Sequence, residues 1–230
     1  MGAVLAHFFL RGRQPNSDAG WAAMQTEMQA EVATLMPRVQ LWSHDAFTEL
    51  HTYRNLKWVA FGRQARARGL VAAAKNKKQR AWAAFSLRGR RVYNLPVAFV
   101  GKAHARTSVQ SLDYEADASG QVVIQVDGRM LGSLQPDGQL LSASGEPIGQ
   151  VARLARDRST RPVTLNGREV AQLENPYYGG YFRFLKNIPR PPAVEFTAPD
   201  VTPAERDWLL ALALWQVINR AAAQINTSGV

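Results

Sequence analysis

From Trp208 to Ile218 the chain reads "WLLALALWQVI", a run with almost no polar side. At 100° per residue, Trp208, Leu209 and Leu212 fall on one side and Leu210, Leu214 and Val217 on the other. Trp215 and Ile218 lie between, leaving Gln216 nearly alone. The start is well marked. Thr202 stands at the N-cap, Pro203 takes the first helical position where its missing N–H is not needed, and Glu205 completes a capping box. These signals predict a helix over 203–222. Its apolar run of 11 residues is well short of the roughly 20 needed to cross a bilayer, so the helix is predicted to lie inside protein.

Upstream, the opening "MGAVLAHFFLR" reads as a first strand. It lacks the basic leader and cleavage site of a signal peptide. Asn16-Ser17-Asp18 offers a cap, and Trp21, Met24, Met28, Val32 and Leu35 then recur at helical spacing until Pro37. Ser43-His44-Asp45 opens a second helical pattern through Phe47, Leu50, Tyr53 and Leu56. Helical character is predicted to continue, with a break near Gly69, as far as Phe85. Residues 1–88 therefore read as a mainly helical region.

Beyond Gly89 the pattern changes. Val92 to Val100 reads as extended, and then "DGRMLGSL" (127–134), "SGEPIGQV" (144–151) and "NGREVAQL" (166–173) share one template. Each has a turn residue, Gly, two variable positions, an aliphatic, Gly or Ala, any residue, and a second aliphatic. The turn pairs supply positive φ angles for hairpins. The aliphatics lie three apart, so a bulge at the intervening small residue is needed to aim both at one core. Asp137-Gly138 adds a turn, and Pro176 to Phe184 and Val194 to Phe196 are further strand candidates. Residues 89–230 thus read as a β-meander ending in the apolar helix.

One open sheet covers a single side of a helix, so a helix apolar all round calls for a sheet that wraps it. The expected fold is α+β: a closed antiparallel β-barrel around a buried C-terminal helix, preceded by a mainly helical basic segment. Over about residues 86–222 the hairpin series, the aromatic strand "YFRFL" and the closing "PDVTPAERDWLLALALW" resemble the Tubby-like superfamily, within it the phospholipid scramblase and LURP-one-related group. The resemblance implies a twelve-stranded barrel that binds membrane lipids in some members and proteins or DNA in others. The cysteines that take palmitate in animal scramblases have no counterpart here. The segment before the final helix holds only Asp200, Glu205 and Asp207, so calcium-driven scrambling is not expected.

Composition narrows the chemistry. With no Cys, disulfides, thiol catalysis and thiolate metal sites are excluded, and a reducing, cytoplasmic setting is expected. The net charge of +10 is uneven. Up to Gln110 the chain carries 17 Lys/Arg against 5 Asp/Glu, and from Ser111 onward 11 against 13. The stretch Arg54 to Arg91 holds 12 Lys/Arg and no acid, with two related phrases, "KWVAF" (57–61) and "RAWAAF" (80–85).

On helices, Trp58 with Phe61 and Trp82 with Phe85 would each form an aromatic face at i, i+3. Arg63, Arg66 and Arg68 would flank the first face, and Lys75, Lys77, Lys78 and Arg80 the second. Cations beside aromatics fit phosphate on an anionic bilayer, or a nucleic-acid backbone whose bases stack on the rings. The bland alternative docks the aromatics in a core and leaves the charges solvated. No catalytic motif, phosphate loop or dinucleotide fingerprint occurs, and His44 and His51 lie about two helical turns apart, too far to share a metal. The expected function is a non-enzymatic binding module, without cofactor or metal, peripheral to a membrane and contacting anionic phospholipid. Nucleic acid through the same residues is the alternative partner, and a protein partner the third.

Overall fold

The predicted cap forms as its spacing requires. Glu205 N–H donates to Thr202 Oγ1 at 3.3 Å, Thr202 N–H donates to Glu205 Oε2 at 2.8 Å, and a helix, here α3, runs over Pro203–Ile225. The computed structural model describes residues 18–50, 52–61, 64–72, 80–92, 97, 99–153, 158–175 and 191–225. Within them α3 is the centre of the molecule. Leu209, Leu210, Leu212, Leu214 and Trp215 are all at most 4% exposed. Burying each such side chain contributes about 1.5–3 kcal/mol.

Two of the polar side chains of α3 have partners on the sheet side of the fold. Arg161 donates to the Gln216 side-chain oxygen, and Gln110 Nε2 donates to Asp207 Oδ1 at 2.6 Å. The Tyr114 hydroxyl, itself buried, donates to the Ala211 carbonyl at 2.9 Å, and its ring lies 5.4 Å from that of Trp215.

Around α3 runs one twelve-stranded antiparallel sheet whose spatial order follows the chain. Its first strands are β1 (Thr52–Phe61), β2 (Gln64–Ala72), β3 (Ala81–Arg91), β4 (Phe99–Arg106), β5 (Ser111–Ala116) and β6 (Val122–Val126). It continues through β7 (Arg129–Leu134), β8 (Gln139–Ser142), β9 (Pro147–Val151), β10 (Thr160–Leu165), β11 (Arg168–Glu174) and β12 (Val194–Phe196). The meander predicted after Gly89 is present, but it begins much earlier. The mainly helical segment expected to reach residue 88 is short: α1 (Asp18–Ala33), a 3-10 turn at Met36–Arg38 and the single turn α2 (Ala46–Glu49).

The physical reason is burial on both faces. Every residue from Ala81 to Gly89 is buried, so β3 lacks the alternation that marks a half-exposed strand, and its Ala-rich phrases resemble a helix. The expected first strand, most of the extended run before Phe99, and Pro176 to Phe184 lie outside the described residues.

The three hairpin repeats are bulged as their aliphatic spacing demands. Ile124 pairs with Gly132 and Gln125 with Met130, leaving Leu131 as the extra residue. Ile148 and Val170 take the same place in the next two repeats. The bulge therefore falls on the first aliphatic, one residue before the expected position, and both aliphatics of each repeat pack on the main core. Asp127-Gly128 and Asn166-Gly167 have two consecutive positive φ angles, as tight hairpins of right-handed twist require.

The expected closed barrel is corrected to an open sheet: among the described residues β1 pairs only with β2, and β12 only with β11. Beside β12 the core is covered by side chains from another element. Phe47 and Leu50 are buried there, the Phe47 ring meets Phe196 edge-on at 5.1 Å, and Ala193 N–H donates to the Thr48 carbonyl at 3.3 Å. A helix can thus be enclosed without a continuous ladder of hydrogen bonds.

At Gly132 the sheet approaches the helix closely. Its φ is +148°, and a Cβ would lie 2.0 Å from the Leu141 carbonyl oxygen and 2.9 Å from the Trp208 ring. Gly132→Ala is expected to cost about 3 kcal/mol, from overpacking added to an unfavourable φ. Gly128→Ala, with φ +76° but nothing within 4 Å, is expected to cost about 1–2 kcal/mol from backbone strain alone. Urea midpoints should fall in the order wild type, Gly128→Ala, Gly132→Ala; equal midpoints for the two variants would contradict the close approach.

Candidate anion-binding site

Period-two alternation in "QARARG" places Arg66 and Arg68 on the outer face of β2, with Ala67 turned toward the core. Opposite them on β3 stand Arg88 and Ser86, with Arg66 directly across from Arg88. Two like charges at one cross-strand position repel, so this pair needs an anion between its members.

The anion is Glu31 of α1. Its Oε1 accepts from Arg66 Nη2 at 2.6 Å and lies 3.9 Å from Arg68 Nη1. Its Oε2 lies 2.6 Å from Arg88 Nη2 and accepts from the Ser86 hydroxyl at 2.7 Å. Arg88 Nη1 also donates to Ser86 Oγ at 3.0 Å and to its neighbour's carbonyl at 2.9 Å. The result is a cradle of three guanidinium groups and a hydroxyl converging on one carboxylate.

Burial alone would raise the Glu31 carboxyl. Hydrogen bonds from Arg88, Arg66 and Ser86, with the Arg88 charge, outweigh it and bring the pKa from an ordinary 4.5 down to about 2. Burial in turn pushes the Arg88 guanidinium below its ordinary value, and Glu31 draws it back.

Helix α1 lies across this outer face on the stripe its sequence predicts. Met28 and Val32 are buried, Val32 against Leu70, Ala81 and Ala84, while Trp21, Met24 and Leu35 are half-buried. Nearer its N-terminus the sheet offers polar contacts: Lys102 is ion-paired with Glu115 at 3.0 Å, His104 Nδ1 is hydrogen-bonded to Asp113 Oδ1 at 2.9 Å, and Lys102 Nζ lies above the Trp21 ring at 5.4 Å. Among the described residues of α1 only Met28 and Val32 are buried, so its apolar hold on the sheet is narrow.

The residues singled out from the sequence separate into three groups. Arg66 and Arg68 come together in the cradle. Arg80 is exposed at the start of β3, while Trp82 and Phe85 are buried, Trp82 donating its indole N–H to Glu49 Oε2 at 2.8 Å. This corrects the expected aromatic face on a helix: in a strand, residues three apart point to opposite sides. Trp58 and Phe61 belong to β1, without described side chains, and Arg63, Lys75, Lys77 and Lys78 lie outside the described residues. Sequence reasoning missed Glu31, Ser86 and Arg88. The Arg/Ala alternation at 65–68 was the available signal for strands, but it says nothing of a carboxylate on a distant helix.

Among the described residues no group of three or more His, Asp or Glu is placed to hold a metal, and no helix is long and apolar enough to cross a membrane. The chain matches no protein-family model, no curated protein and no solved structure.

Because the Glu31 pKa is depressed, its ionised form stabilises the fold fully above the unfolded-state value near 4.5, and that contribution is lost as pH falls toward about 2. Glu31→Gln should lower stability at pH 7 by about 2–3 kcal/mol, because Arg66 and Arg88 lose their shared counter-charge. Thermal melts of both proteins should converge as pH drops through this window; a gap unchanged down to pH about 2.5 would contradict the ion cluster.

Proposed function

We propose that this protein is a non-enzymatic binding module for phosphate-bearing anions, with anionic membrane phospholipid as the guest. The observation that carries the reading is the convergence of Arg66, Arg68, Arg88 and Ser86 on a single acceptor position. The phosphodiester of a phospholipid headgroup is acceptor-only, as a carboxylate is, and offers two non-bridging oxygens and a negative charge to the same donors. It would compete with Glu31 for the cradle.

Release of α1 from the sheet would free an amphipathic helix carrying Trp21, Met24, Met28 and Val32. Such a helix suits the bilayer interface once its apolar stripe loses its protein partner. Lys75, Lys77 and Lys78, in the connection from β2 to β3, add positive charge to the same part of the chain. Lipid is favoured over nucleic acid because Trp82 and Phe85, which would stack on bases, are buried. The twelve-stranded meander around an apolar helix supports the resemblance to the Tubby-like superfamily, from whose closed barrel this open sheet departs.

Co-sedimentation with phosphatidylserine/phosphatidylcholine vesicles tests the reading. Wild type is expected to bind these and not pure phosphatidylcholine vesicles. Glu31→Gln should bind several-fold more tightly, having lost the internal competitor, and Arg66→Gln with Arg68→Gln should bind about tenfold more weakly. Wild-type affinity in both variants would sink the cradle as the phosphate site. Single-stranded DNA binding with tryptophan quenching would move the guest to nucleic acid.

A further inference from the structure

All three large hydrophobic residues that stand exposed among the described residues gather at one end of the sheet. Leu41 is 85% exposed, Val109 61% and Met130 48%. Leu41 follows the 3-10 turn, Val109 lies in the connection from β4 to β5, and Met130 opens β7 just after the turn from β6. These segments are tied together. Trp42 N–H donates to Ser108 Oγ at 2.7 Å, Ser111 N–H donates to Asp127 Oδ1 at 2.8 Å, and Asp127 N–H donates to the Ser111 carbonyl at 2.9 Å. Solitary exposed aliphatics need no explanation, but three on neighbouring tips do.

Val109 is held in place at its tip. Thr107 Oγ1 accepts from the Val109 N–H at 3.2 Å and from the Gln110 N–H at 2.9 Å, while Thr107 N–H donates to the Gln110 carbonyl at 2.9 Å. Polar residues and glycine are the ordinary choice in so tight a turn, yet a valine stands there with most of its side chain in water.

Arg38, Arg80, Arg106 and Arg129 are exposed around these tips. Gln40 N–H donates to the Ala81 carbonyl at 2.8 Å, which brings the segment carrying Arg38 beside Arg80. The exposed carboxylates of the same segments are Asp45 and Asp127, and Asp127 is already engaged by Ser111. Cations therefore prevail around the apolar tips.

We infer that this end of the sheet is a bilayer-docking face, on which Leu41 and Val109 enter the interfacial layer while Arg38, Arg80, Arg106 and Arg129 meet anionic headgroups. Separate aliphatic tips with a cationic rim suit a soft surface that closes around each of them. A folded protein partner calls for a continuous patch of about 800 Å² with aromatic anchors. Here the Trp42 ring packs edge-on against Phe47 and Trp82, on the side of the core. The inference rests on the phospholipid reading for its partner, but the face shares no residue with the cradle.

The chain has no cysteine, so Val109→Cys, and Ala118→Cys in the connection from β5 to β6 at the far end of the sheet, can each carry a single environment-sensitive fluorophore. On phosphatidylserine/phosphatidylcholine vesicles the label at 109 should brighten several-fold and shift to the blue, and the label at 118 should stay as it is in buffer. Leu41→Ser with Val109→Ser should bind these vesicles about tenfold more weakly at an unchanged melting temperature, because both side chains are already exposed. Arg106→Gln with Arg129→Gln should weaken binding several-fold and flatten its salt dependence.

Co-sedimentation with no change in the label at 109 would overturn the docking face and leave the cradle reading standing. Wild-type vesicle affinity in the double serine variant would do the same. Absence of co-sedimentation would overturn both. Self-association of the wild type that the double serine variant loses would overturn the bilayer as occupant in favour of a second copy of the chain.

Discussion

Everything in this structure follows from a helix that has no side to show to water. Exposing α3 would leave leucine and tryptophan in solvent on every face, so the chain must surround it. The sheet curls, and bulges bring paired aliphatics inward. The few polar atoms on the helix meet dedicated partners: Arg161 reaches Gln216, Gln110 reaches Asp207, and Arg168 ties the helix start to β11 through Glu205 at 2.9 Å. Burial works against the Glu205 charge, but the Thr202 backbone and side-chain contacts and Arg168 hold its carboxyl below the usual range. The capping group thus stays ionised where it is needed.

The same demand explains which parts of the fold could be read from the sequence. Signals carried by neighbours in sequence were legible: the capping box, the α1 stripe, the glycine turns and the need for bulges. Strand β3 was not, because periodicity reports a difference between faces, and the short Arg/Ala alternation of β2 falls within the same helical pattern. In β3 both faces are buried, the inner one against α3 and the outer one under α1, so that difference is missing from the chain itself. The aromatic pairs at 58/61 and 82/85 then matched a helical spacing that the backbone does not adopt.

The cradle was half legible for a related reason. Arg66 and Arg68 stood out as cations, but their meaning depends on Arg88 across the strand pair and on Glu31, 35 residues before Arg66. Sequence marks a surplus of charge without showing what neutralises it. The structure shows Glu31 set among three of those cations, carried by a helix whose buried apolar residues are Met28 and Val32.

The position of α3 in chain order also bears on how the molecule is made. Each strand pairs with its predecessor, so the sheet can assemble locally while the chain is still emerging. The helix that fills it comes after all twelve strands. Until residues 203–225 leave the ribosome, the inner face of the sheet is a concave apolar surface with no occupant. For that interval the nascent chain is a hydrophobic vessel open to solvent, closed only by the last element.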